Sequence, residues 1–379
     1  MSRELILIAL SLVTWGIGEG MFLYFEPLYL QQLGADPILI GSIIGGVGIA
    51  MAISYLPAGY LSDRMGRRPM LRLAWLIGVA ATWMMALANS LSIFVVGMMI
   101  YGFTSFVVVP LNSYITHARG KLSVGRTITL ISASFNIGFI FGPLIGGWIG
   151  NRYGLQRTFL IAAFIFLVST IFIFMAPAQP IEREGTGATL RGWQGLISKR
   201  FIQYLFIIFF VTFALYLPQP LSQNFLQNER GLNLNQVGQL IAIRSLGIVV
   251  LNLTLGQLNA RTGYLLAQVS MAAFTLLLWQ GANMVWYMAG YFLLGSYQTA
   301  RVLSIAQGRT LIQATRMGVG YGIIETAMTF AIILAAPLAG ALYQENPVWI
   351  YIVSLGLIVV AILVTSLFSP IRKEDVNIH

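Results

Sequence analysis

Five charged side chains lie deep inside apolar stretches of this sequence: Glu19, Glu26, Arg244, Arg301 and Glu325. A charge removed from water is costly there, so such residues face a cavity or a partner. Glu19 and Glu26 are seven positions apart and share one helical face. With Trp15, Phe22 and Tyr29 they form a stripe at helical spacing. Acids alternating with aromatics suit an amphipathic cation, through charge pairing and cation–π contact. They also suit a proton site, because a carboxyl out of water takes up a proton more readily. A third reading is that each Glu simply neutralises an arginine. At about 1.5 Å per helical residue, Arg244 falls between Glu26 and Glu19 in depth from the outer ends of their spans, and Arg301 and Glu325 fall at similar depths from the inner ends of theirs. These depths permit an outer cluster joining two halves and an inner Arg301–Glu325 pair. Either would hold a gate shut until a proton or a charged substrate releases it. Further polar stripes, Asn112 with Tyr101, then Gln219 with Gln223, then Tyr291 with Gln298, describe an aromatic, amide-rich pocket lined by other helices.

The elements that position these groups follow from composition. Of 379 residues, 58% are apolar and only 9% charged, against about 25% charged in a soluble domain. So few charges cannot solvate a globule of this length, and the chain is expected to be an integral multi-pass membrane protein. Twelve apolar runs reach the roughly 20 residues that a spanning helix needs. They lie near 5–30, 38–60, 70–88, 91–116, 127–149, 156–177, 201–226, 236–258, 264–281, 284–308, 317–343 and 347–368. The first run lacks a cleavage site and reads as a spanning helix.

An even number of spans places both termini on one side. That side receives Arg3, four arginines between 64 and 72, three basic residues between 119 and 126, four between 183 and 200, Arg261, Arg309, Arg316, Arg372 and Lys373. The other side receives Arg152, Arg157 and Arg230. A bias of seventeen to three puts both termini in the cytoplasm, in what reads as a prokaryotic plasma membrane. The net charge of +10 is thereby assigned to topology, and no nucleic-acid partner is implied. Zero cysteines and two histidines offer no thiol chemistry and no metal-ligand spacing, and no phosphate-binding glycine loop is present. An enzyme, a metal and a cofactor are not expected.

The chain repeats itself. Gly59-x-Leu61-x-x-Arg64-x-Gly66 recurs 197 residues later as Gly256-x-Leu258-x-x-Arg261-x-Gly263, and Gly142-Pro143-Leu144 recurs as Ala336-Pro337-Leu338. A Gly- and charge-rich cytoplasmic linker, 179–200, is expected to join an N-terminal six-helix bundle, 1–178, to a C-terminal one, 201–379. The stretch Gly59-Tyr-Leu-Ser-Asp63-Arg64-Met-Gly66-Arg67-Arg68 resembles the signature loop between helices two and three of the major facilitator superfamily. The resemblance implies an all-α membrane fold of two pseudo-symmetric six-helix bundles that alternate access to a central site, with the loop acting as a gate. Gly138-x3-Gly142-Pro143-x2-Gly146-Gly147 resembles the fifth-helix motif of the family's antiporters, where small residues bring helix backbones together and Pro143 is expected to loosen the helix. An arginine that the family carries in its fourth helix, tied to proton coupling, would fall near Met98, where there is none.

The expected function is secondary active transport of a small molecule, led by proton-coupled efflux of amphipathic compounds. The competing expectation is a carrier for an organic anion, a sugar or a lipid-like substrate, with Arg244 and Arg301 as ligands. The expected partners are the substrate, protons and membrane lipids, and the expected state is a monomer.

Overall fold

In the computed structural model, residues 2–120, 122, 124–179, 198–312 and 317–368 are described, and these are almost entirely helical, with no strand among them. Most of the expected linker, 180–197, lies outside the described residues. In hydrocarbon every backbone N–H and C=O must be satisfied inside the protein, which leaves the helix as the unit of an α-type membrane fold. Among the described residues, eleven helices are long and apolar enough to cross a membrane. Large apolar side chains such as Phe206, Leu253 and Val285 point outward, as a lipid-facing surface requires.

Span ten is the twelfth, and it consists of two helices, Met284–Leu294 and Ser296–Gly308. They meet at Gly295, where a Cβ would fall against the backbone of Gly247 in span eight. Proline breaks three other spans. Pro27 lacks an N–H and its ring crowds the carbonyl four residues back, and span one accordingly runs Arg3–Phe22, tightens to a 3₁₀ turn at Leu23–Phe25, and resumes as Glu26–Gln32. Pro110 has the same effect at Thr104–Val107 in span four. Span seven was expected to run to residue 226, but its helix ends at Tyr216. Pro218 and Pro220 follow, and a short helix, Ser222–Asn228, completes the segment. Gln219 and Gln223 are therefore not on one continuous helical stripe. Pro143, expected to loosen span five, leaves the helix Val124–Tyr153 unbroken.

Spans two and three, Pro37–Met65 and Arg67–Ala86, are joined by the single residue Gly66 at φ +88°. Spans five and six, the latter Leu155–Met175, are joined by Gly154, also at φ +88°. This left-handed backbone is one that a Cβ penalises. The later copy of the signature lost this turn: Gly263 lies inside span nine, Ala260–Gln280, where a Cβ would stand 2.5 Å from the Leu255 carbonyl oxygen.

The chain divides into two compact units. Unit one holds the described residues of Met1–Asp36, Gly46–Gly185 and Gln223–Ala242. Its spine is span one packed against spans five and six. Unit two holds those of Pro37–Gly45, Thr186–Ser222 and Ile243–His379. Its core gathers Phe201, Tyr204 and Ile208 of span seven with Ile312, Ile324 and Met328.

Candidate functional site

In unit one the site grows from the central turns of span one. Trp15 Nε1 donates to Glu19 Oε2, one turn on, at 3.0 Å, and the Tyr101 hydroxyl of span four hydrogen-bonds the same carboxyl. The indole is held by its neighbours. Its ring centroid lies 4.1 Å from Phe166, 4.8 Å from Trp75 and 6.3 Å from a stacked Tyr101. Trp75 is itself fixed, because its Nε1 donates to Ser169 Oγ at 2.9 Å, and Ser169 is bonded in turn to Ser11. Gly78 leaves the room for Trp15, since a Cβ there would run into the indole. Trp75, Gly78, Phe166 and Ser169 carry no charge and no motif, and only the packing shows that they orient Glu19 through Trp15.

Glu26 starts the helix beyond the 3₁₀ turn. Three residues at 3₁₀ pitch turn it by about 60° relative to an unbroken α-helix, which leaves both acids on the same broad face. Glu26 is 8% exposed and has no side-chain hydrogen bond among the described residues. The Glu19 charge acts on it, and its own charge acts on Tyr101. Phe22 is fully buried and meets Tyr101 and Phe159, each at 5.4 Å. Tyr29 packs on Phe94 and Phe159. These two rings form the wall behind the carboxyls. Asn112 is exposed near the end of span four. Past Tyr29, Gln31 Oε1 accepts from Asn224 at 2.6 Å and Asn228 at 3.1 Å, an amide clasp that the sequence reading missed.

The antiporter-like glycines divide between two neighbours, both within unit one. Gly138, Gly142 and Gly146 face span one. A Cβ on Gly138 would strike the Val13 carbonyl, one on Gly142 would lie 2.5 Å from the Ile17 carbonyl oxygen, and one on Gly146 would strike the Met21 carbonyl. Gly147 faces the first turns of span eight, 2.6 Å from the Leu234 carbonyl oxygen by the same measure. The Pro143 carbonyl faces Gly238.

Of the signature residues, Gly59, Asp63 and Arg64 lie in the helical end of span two, and their side chains fall outside those described. Arg67 donates to Gln179 Oε1 at 3.5 Å, and Gln179 Nε2 donates to Glu4 and to the Tyr114 carbonyl. Arg68 begins span three beside it, half-buried.

Unit two carries the opposite chemistry. Arg301 of span ten pairs with Glu325 of span eleven at 2.5 Å, the two side chains 32% and 42% exposed. Arg301 borders a small recess lined also by Thr212, Tyr264, Tyr297 and Ser304. Arg244 donates to Gln219 Oε1 at 3.5 Å, and Tyr291 donates to Ser222 Oγ at 3.2 Å. Gln298 is half-buried, and Gln223, which belongs to unit one, is buried.

Known proteins of two kinds resemble the chain, relatives in sequence and neighbours in fold. The chain is 23% identical to Multidrug resistance protein 2 of Bacillus subtilis over 258 residues, 65% of this chain and 64% of that one. It is 28% identical to Multidrug resistance protein MdtG of Proteus mirabilis over 202 residues, half of each, and 26% identical to an uncharacterized MFS-type transporter of Methanocaldococcus jannaschii over 46% of each. The chain thus spans about half to two-thirds of the length of these three curated relatives. Among solved structures, the nucleoside transporter NupG superposes with a TM-score of 0.80 at 15% identity over 98% of this chain and all of that one. A bacterial homologue of the human lysosomal transporter Spinster gives 0.73 at 14% over 98% and 97%. At such identities the likeness shows the fold alone. The sequence pattern of the Major Facilitator Superfamily matches residues 8–295 and 204–377, and with the twelve spans in place the chain belongs to that superfamily, a family of small-molecule transporters and not of enzymes.

Proposed function

We propose that this transporter exports amphipathic cations in exchange for protons, with Glu19 and Glu26 as the groups that take either. The observation that carries the reading is the Glu19 carboxyl, gripped by an indole N–H and a phenol O–H inside an aromatic wall, with Glu26 two turns away and without a hydrogen bond among the described residues. Two donors hold the carboxylate in place, and the rings around it favour a cation that carries apolar surface. A proton and a cation compete for one charge, so binding one releases the other. The names of the multidrug relatives agree with this substrate class. The competing reading, an anion or sugar carrier, needs arginines free to grip the substrate. Arg301 is engaged by Glu325 and Arg244 by Gln219, which favours the cation.

The seventeen-to-three distribution of basic residues supports cytoplasmic termini in a prokaryotic plasma membrane, with the chain acting as a monomer of two bundles joined through 179–200. The Arg67–Gln179–Glu4 network supports a gating role for the signature stretch Gly59–Arg68, at the root of that linker.

The test is thermal stability of the purified protein with tetraphenylphosphonium, at acid and at alkaline pH. A ligand at a hundred times its Kd adds about 2.7 kcal/mol to the folded state. Stabilisation is expected to be stronger at alkaline pH and lost in Glu19→Gln, which keeps an oxygen for Trp15 and Tyr101. Equal stabilisation of the variant, or stabilisation by organic anions that Arg301→Ala abolishes, would overturn the proposal.

A further inference from the structure

The start of span three holds a second concentration of charge, apart from the carboxyls of span one. Arg68 and Arg72 are one turn apart and share a helix face, and their like charges act on each other. Among the described residues no carboxylate pairs with either. Glu4, at the same end of unit one, accepts from Gln179 instead. Both arginine Nε atoms are buried and make no hydrogen bond. Arg72 spreads over the Phe174 ring, 4.7 Å from its centroid, and donates to the Phe174 carbonyl at the last turn of span six. Two like charges one turn apart repel, and an anion between them would reverse that cost.

The surroundings say which anion. From Arg72 an apolar seam runs along the join of spans three and six, past exposed Leu76 and Ile171, to the edge-on rings of Trp83 and Phe164, 5.0 Å apart. Eleven residues of helix make it about 16 Å long. A soluble anion gains nothing from such a seam. A phospholipid matches both parts, with its phosphate at the basic helix end and a chain along the apolar join. We propose that Arg68 and Arg72 bind the phosphate of an anionic phospholipid whose acyl chain lies in the seam between spans three and six. The proposal does not depend on the substrate of the carboxyl site.

Trp83 provides a built-in probe. The full chain is reconstituted in phosphatidylcholine vesicles, and its tryptophan fluorescence is quenched either by phosphatidylglycerol brominated on its acyl chains or by phosphatidylcholine brominated in the same way. The expected result is stronger quenching by the phosphatidylglycerol, with the excess absent from Trp83→Phe. The phosphatidylglycerol needed for half of that excess should rise about fivefold in Arg68→Gln and in Arg72→Gln, from the contribution of roughly one basic residue at a membrane surface, and stay unchanged in Arg152→Gln. The wild-type lipid comparison and Trp83→Phe keep both arginines and serve if an arginine variant does not fold. Equal quenching by both lipids, an excess that survives Trp83→Phe, or loss of the excess on adding inorganic phosphate would each overturn the proposal, the last by making this a phosphate site.

Discussion

Replacing Gly142 with alanine tests whether the fifth-span motif is a packing seam. The added Cβ would stand 2.5 Å from the Ile17 carbonyl oxygen and 2.8 Å from Gly20 Cα. Ordinary contact begins at 3.4 Å, so the two backbones must separate by something under 1 Å. Neither obstacle is the tip of a flexible side chain that can swing aside. Gly138 and Gly146 sit one turn to either side with equally close backbone, so span one cannot tilt away at one point without opening the neighbouring contacts. Overpacking of this kind costs about 1–3 kcal/mol. At about 2–4 °C per kcal/mol for a large domain, the midpoint of thermal unfolding should fall by roughly 2–12 °C.

The control is Gly356→Ala in span twelve, where a Cβ meets nothing within 4 Å and alanine is the better helix former. That variant should match the wild type or exceed it slightly. Both substitutions add one methyl to a buried or lipid-facing helix, so detergent and handling affect them alike. Differential scanning fluorimetry on the two purified variants is the assay. If Gly142→Ala unfolds within a degree of Gly356→Ala, the close approach of spans one and five is not what the glycines are for.

Three further substitutions test the sites themselves. Ser169→Ala removes the acceptor for Trp75 Nε1 and leaves that N–H buried, which should cost about 1–3 kcal/mol in thermal or urea unfolding; an unchanged stability would mean that the Trp75 anchor is dispensable. Gly78→Ala forces the Trp15 indole away from its seat, so the stabilisation by tetraphenylphosphonium should drop several-fold with little change in ligand-free stability, and an unaltered cation response would detach Trp15 from the site. For the half-exposed Arg301–Glu325 pair, a double-mutant cycle on unfolding with Arg301→Gln and Glu325→Gln should give a coupling of about 1 kcal/mol or less. A coupling of zero would make the pair incidental.

The frame was legible because lipid imposes it. Twelve apolar runs and one dominant charge asymmetry can be counted in the sequence, and most helix starts fell within a few residues of the expected ones. The departures have local causes. Pro218 and Pro220 interrupt span seven ten residues before its expected end, because neither has an N–H to continue the helix, which resumes only at Ser222. Gly295 divides span ten through a contact with Gly247 that no local pattern announces. The acids were visible as misplaced charges, whereas their positioning was not. Gly78 is a small residue among many, and only the indole above it gives it a role. Tyr101 was visible as a polar residue on span four, but its bond to Glu19 depends on how spans one and four are brought together.

The repeat detected in the sequence reappears as a repeated packing device, one in each unit. In unit one, Pro143 of span five sits where Gly20 of span one and Gly238 of span eight offer bare backbone. In unit two, Pro337 of span eleven sits 3.3 Å from where a Cβ on Gly45 of span two would lie, and Gly41 abuts the Ala336 carbonyl. A proline inside a helix leaves a carbonyl without its usual donor, and neighbouring glycines let another backbone close over that turn. The chemistry does not repeat. Unit one offers two acids walled by aromatic rings, and unit two an arginine already engaged by a glutamate. Duplication therefore explains the frame and leaves the site unexplained. Each half needs the same seams to pack its helices, whereas the proposed carboxyl, for which a cation and a proton compete, is needed in one half only. That asymmetry, more than the shared fold, is what the Glu19 and Arg301 variants interrogate.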